Sequence, residues 1–165
     1  MPRGREQMAP SFAHLPRPAL PEIEFPGVKM RLLAGSAFGQ RAPTPTLSPT
    51  VYVAVEMAPG AALALPPEHQ QRGVYAIDGE LTIDDTRVPP HHLAVLPEGQ
   101  TARVRSAADA TAVLLGGAKA DGERLIWWNF VASSRALIDG ASSRWREQRF
   151  PPVPGETEFI PLPEH

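Results

Sequence analysis

Short apolar runs alternate with turn residues through most of the chain, over residues 28–33, 51–57, 73–77, 81–83, 93–96, 102–105, 112–115 and 125–130. Between them stand Pro59-Gly60, Asp78-Gly79, Asp84-Asp85, Pro89-Pro90, Pro97-Glu98-Gly99 and Asp121-Gly122. Eight β-type runs of this length and spacing predict an antiparallel sandwich or barrel. Asp78-Gly79 is the strongest local hairpin signal, because a type I′ turn needs two residues that tolerate positive φ. Helical period occurs in one place. After Ser133 or Ser134 as cap, Ile138, Ala141 and Trp145 recur at i, i+3 and i+7 with Leu137 alongside. Arg135, Asp139, Arg144, Arg146 and Glu147 take the other face. This helix is expected to end near Arg149, before Pro151-Pro152, and to pack on the barrel through Trp145. Gly140 weakens its middle by about 1 kcal/mol relative to alanine. Residues 1–26 and 43–49 lack a pattern and are expected to be loosely structured.

Composition narrows the function classes. The 165 residues suit one domain with a substantial core. A formal charge of −2, with arginines scattered singly, gives no footprint for direct nucleic-acid binding. The absence of cysteine excludes a disulfide scaffold, a thiol nucleophile and thiolate zinc sites, and it fits a reducing cytoplasm. No run of eighteen apolar residues offers a membrane span, and residues 1–8 carry no leader-like apolar core. The expectation is a soluble, cytoplasmic protein. Twenty prolines and thirteen glycines punctuate the apolar runs without dissolving them, unlike a disordered composition.

The most specific feature is the carboxy-terminal stretch. Trp127-Trp128-Asn129-Phe130-Val131 leads to Ser133-Ser134, then Trp145 precedes Phe150-Pro151-Pro152-Val153-Pro154-Gly155-Glu156, and Phe159-Ile160-Pro161-Leu162-Pro163 closes the pattern. This order resembles the carboxy-terminal signature of the pirin family. Upstream, Glu6 to Phe12 is similar to that family's linker between its two cupins, and Gly27-Val28 through Gly39 to the opening of its second domain. The resemblance implies an all-β fold, a cupin-type antiparallel β-sandwich or barrel (an RmlC-like jelly roll), with one C-terminal helix. It implies a linker-like extended segment over residues 1–26 and the pirin C-terminal cupin domain over residues 27–163. Iron or another divalent metal belongs, by the same resemblance, to the family's amino-terminal cupin. The chain is expected to begin after that cupin, as a bicupin fragment with no metal or other cofactor of its own. The resemblance also implies quercetin 2,3-dioxygenase activity in some members and transcriptional co-regulation in others. Two functional readings therefore stand: a metal-free second cupin acting in domain packing or protein interaction, or half of a pirin-type metal-dependent dioxygenase whose metal-binding cupin is missing from this chain.

Cupin motifs place metal ligands at set positions, since H-x-H on a strand directs both imidazoles to one face. Here Gly79 aligns with the last glycine of the first motif, which sets Arg72 in the glutamate position. The two histidine positions fall on Pro66 and Glu68, or on Leu65 and Pro67, and the second motif sets Ala102 at its ligand. A guanidinium repels a metal and does not deprotonate to bind one, so no catalytic, cofactor-binding or metal residue is assigned. Glu68, Gln70 and Arg72 share strand parity and define a candidate pocket at the barrel mouth. Two readings of it stand: Arg72 plugs a vestigial site, paired with Glu68, or it anchors an anionic small molecule. His69, by alternation, faces away from Arg72 as a surface or interface residue. His91-His92 read as a polar loop, and His14 and His165 as exposed ends. The expected partners are a second copy or another protein, through the exposed barrel face.

Overall fold

The long strands obey the period of two that places alternate side chains on opposite faces of a sheet. In the computed structural model, which describes residues 1–163, β4 (Thr50–Met57) buries Val51, Val53, Val55 and Met57 and turns Tyr52 and Glu56 outward. The same alternation runs through β2 (Val28–Ala37), β10 (Ala102–Ser106) and β11 (Ala110–Gly117). β6 (Gln71–Asp78) buries Arg72, Val74 and Ala76 on its inner side.

Two antiparallel sheets result. The larger has the order β1-β2-β4-β11-β6-β9, with β1 at Glu22–Phe25 and β9 at Leu93–Leu96, and a short β3 (Gln40–Arg41) beside β2. The smaller has the order β5-β10-β7-β8, with β5 at Ala62–Leu65, β7 at Leu81–Ile83 and β8 at Thr86–Val88. Inner residues of both sheets form one apolar cluster, including Leu32, Val53, Ala76, Leu114, Leu65, Leu81 and Val104. This is a cupin-type jelly roll, all-β apart from its helical features, as the sequence indicated.

The described chain divides into two compact units, one of residues 9–119 and one combining residues 1–8 with residues from 120 on. In the second unit β12 (Leu125–Trp127) and β13 (Phe130–Ala132) form a hairpin, and α1 (Arg135–Arg146) packs on it. Ser134 caps α1, its hydroxyl accepting from Leu137 N–H at 3.4 Å. Ile138 and Ala141 are buried, as the helical period requires. Trp145 meets Trp128, Phe150 and Phe159 with ring centroids 5.2–5.7 Å apart, and its indole N–H donates to Ile160 O at 2.8 Å. Asp121 accepts from Arg3 N–H at 2.8 Å and pairs with Arg124; these bonds hold its carboxyl below the usual range.

Several expectations are corrected. Residues 125–130 form not one strand but two halves of a hairpin that turns at Trp128, whose φ is +50°. Asp78-Gly79 closes no hairpin: β6 and β7 lie in different sheets, so the turn carries the chain from one to the other. Only Gly79 takes positive φ there (+72°), and a Cβ on it would lie 2.4 Å from Asp109 O. The segment expected to be loose contains β1, whose Glu22 pairs with Arg31; that ion pair lowers the Glu22 pKa. The helix stops at Arg146, three residues early. His165 lies outside the described residues.

Candidate functional site

The barrel mouth is shaped by prolines. Pro66 and Pro67 end β5, because proline supplies no N–H to continue a ladder. Residues 66–70 are therefore a loop rather than strand, and the parity that grouped Glu68, Gln70 and Arg72 does not hold across it. The three side chains separate. Glu68 is exposed, and its carboxylate accepts from Phe38 N–H at 3.0 Å. Gln70 is exposed and accepts from Lys119 N–H at 3.1 Å. His69 is half-buried, its Nε2–H donating to Ser36 O at 2.8 Å, so it ties its loop to the end of β2 rather than facing solvent. His92 binds Pro90 O in the turn before β9, in keeping with a polar loop.

Arg72 alone enters the barrel. It is 4 % exposed, on the inner face of β6. Its guanidinium donates from Nη1 to Leu65 O (3.1 Å) and Pro66 O (3.0 Å), and from Nη2 to Pro97 O (2.9 Å) and Gln100 O (2.5 Å). Four carbonyl oxygens from the β5–β6 and β9–β10 loops converge on one planar cation, a geometry that suits a rigid fork of donors and not a point charge. Both loops belong to the motif positions read from sequence, the second being Pro97-Glu98-Gly99. Glu68 makes no ion pair with Arg72, so the expected Glu–Arg pair is replaced by carbonyl acceptors. The crevice left between Ala37, Leu65, Pro66, Glu68 and Arg72 holds about 10 Å³, which is at the lower limit for one water.

The donor set does not fit a metal. Ala102 is a buried methyl facing Leu65 across β10 and β5, Pro66 contributes only its carbonyl, and the cation already present is Arg72. Among the described residues, no three His, Asp or Glu side chains converge as metal ligands would. A wider groove of about 500 Å³ opens at the other end of β6, between Glu24, Phe25, Lys29, Glu56, Asp78 and Asp109. Sequence reasoning missed it, because the residues come from five separate segments and no motif links them.

Residues 52–151 match the pirin C-terminal cupin domain. The chain belongs to the pirin family. It is 40% identical to a pirin-like protein of Caulobacter vibrioides over 99% of this chain and 57% of that protein. It is 33% identical to a putative quercetin 2,3-dioxygenase of Pseudomonas aeruginosa over 89% of this chain and 47% of that protein. The chain thus spans about half the length of the curated relatives it matches. Among solved structures, a quercetin 2,3-dioxygenase of Acinetobacter baumannii superposes with a TM-score of 0.89 at 24% identity, over 100% of this chain and 56% of that one. A second, GK1651 of Geobacillus kaustophilus, gives 0.68 at 18% identity over 74% and 53%. At these identities the superpositions show the fold alone. No helix among the described residues is long and apolar enough to cross a membrane.

Proposed function

We propose that this pirin-family chain is a cupin module without a metal of its own, which acts by packing against a protein surface. The observation that carries the reading is Arg72: its guanidinium, bound by four carbonyls, fills the space that ligands would need to converge on a metal. Both Nη atoms are taken by carbonyls; the Nε–H is buried without a partner, but the 10 Å³ crevice beside Arg72 admits no organic anion or substrate. Exposed Tyr52, Ile77, Leu93 and Val95 on the outer face of the larger sheet give the module apolar surface to bury. Absence of cysteine suits work in a reducing compartment, and the sequence offers no basic patch for nucleic acid.

The test is elemental analysis of the purified chain after washing with a chelator. Iron, nickel, copper and manganese are each expected far below one atom per chain. Any of them bound stoichiometrically and restored by dialysis would overturn the reading, because the ligands would then have to displace Arg72.

A further inference from the structure

The outer face of the larger sheet is divided by chemistry. Along β1 and β2 it carries charges: Glu22 opposite Arg31, and Lys29 between Glu24 and Glu56. Along β4, β11, β6 and β9 it carries none over two successive rows. Registers place Tyr52 beside Leu115, Leu115 beside Gly73, and Gly73 beside Val95 in one row. The next row runs Ala54, Val113, Tyr75, Leu93. Leu93 is 51 % exposed and Val95 78 %. Gly73 leaves no pit, since a Cβ there would already sit 3.0 Å from the Leu93 Cδ1 methyl. The surface is smooth and apolar.

Granted the interaction role proposed above, we infer that the occupant of this face is a second copy of the chain, packed sheet on sheet about a two-fold axis. Four strands about 4.8 Å apart, with two rows about 6.6 Å apart, cover roughly 250 Å² in projection, about twice that as accessible surface. Such a patch reaches the upper limit of what soluble monomers leave open. Two copies together bury about 1,000 Å², the size of a weak, reversible interface. A two-fold contact sets each uncharged row against an uncharged row, so no charge is desolvated without a partner, while Lys29, Arg31 and Glu56 stay at the rim. Aligned packing at about −30° accommodates the twist of two such sheets. At this area the dimer is expected to dissociate in the micromolar range.

Sedimentation equilibrium of the full chain, from low micromolar to several hundred micromolar, tests this. The parent is expected to shift from monomer to dimer. The pair Leu93→Glu and Val95→Glu, at exposed positions, is expected to raise the dissociation constant by at least about 100-fold with melting unchanged. Leu93→Thr with Val95→Thr, which keeps strand-forming side chains, covers the case in which the acidic pair does not fold. Ile126→Glu with Val131→Glu, on the exposed side of the β12–β13 hairpin, is expected to leave the dimer intact. A dimer broken by the hairpin pair and kept by the sheet pair would overturn the inference and leave the interaction role standing. So would a monomer that binds a different protein through Leu93 and Val95. A monomer at every concentration, with no partner found on any face, would remove both.

Discussion

Arg72→Ala is expected to lower the stability of the barrel by about 3–5 kcal/mol, because several buried carbonyls lose a charged donor at once. The cost has two sources. Four carbonyls lose their donors, each worth about 1–3 kcal/mol if water fails to reach it, and the loops at Leu65-Pro66 and Pro97 to Gln100 lose a group that bonds to both. For a chain of 165 residues this corresponds to a fall in melting temperature of about 10 °C. Arg72→Lys is expected to recover less than half, because an ammonium is a single point and cannot reach both loops with parallel donors. The two tyrosines, Tyr52 and Tyr75, lie in the barrel, and far-UV dichroism with tyrosine emission follows it through denaturant unfolding. A loss under about 1 kcal/mol would place Arg72 among ordinary surface substitutions and remove its role as the tie.

Trp145→Ala has a comparable effect in the other unit. The side chain touches Trp128, Phe130, Phe150 and Phe159, and its N–H holds Ile160 O. Truncating it opens a cavity and breaks four aromatic pairs, a change worth about 3–5 kcal/mol. It also leaves Trp128, at positive φ, with only Phe130 of its two T-shaped neighbours; a bulky residue in that region is strained and depends on its surroundings. Because all three tryptophans lie in this unit, Trp127 and Trp128 emission is expected to shift red. Protease sites beyond Phe150 are expected to open, while the tyrosine signal of the barrel keeps its midpoint. Joint loss of both signals would show instead that the two units unfold as one.

What the sequence made legible follows the strength of local patterning. Runs such as 51–57, with valine at three of its four inward positions, gave the strands within a residue or so. β5 escaped because Ala62-Leu63-Ala64-Leu65 pairs its two leucines with alanine, a weak strand former, and β8 because Thr86-Arg87-Val88 has one apolar residue. The Trp128 turn was hidden inside a continuous aromatic run, where nothing but tertiary packing selects positive φ. Asp78-Gly79 shows the converse: the residues signalled a turn correctly, but whether a turn joins neighbours in one sheet or crosses to another is decided by the core. At the mouth, the identity of Arg72 as an inward-facing cation was readable from motif alignment. Its acceptors were not, because backbone carbonyls carry no sequence signature, and the carboxylate that seemed the natural partner, Glu68, is held by Phe38 N–H in the loop that Pro66-Pro67 creates.

The central claim is that Arg72 closes the barrel and leaves no place for a metal. Nitrogen-15 NMR of the arginine guanidinium groups, recorded with and without one equivalent of paramagnetic Mn(II) or Ni(II), tests it most directly. Arg72 is expected to show slowly exchanging, separately resolved Nη–H signals, set apart from the solvent-averaged arginines, and no selective broadening at Leu65, Arg72 or Ala102. Averaged Arg72 signals, together with metal-induced broadening centred on those three residues, would contradict the account.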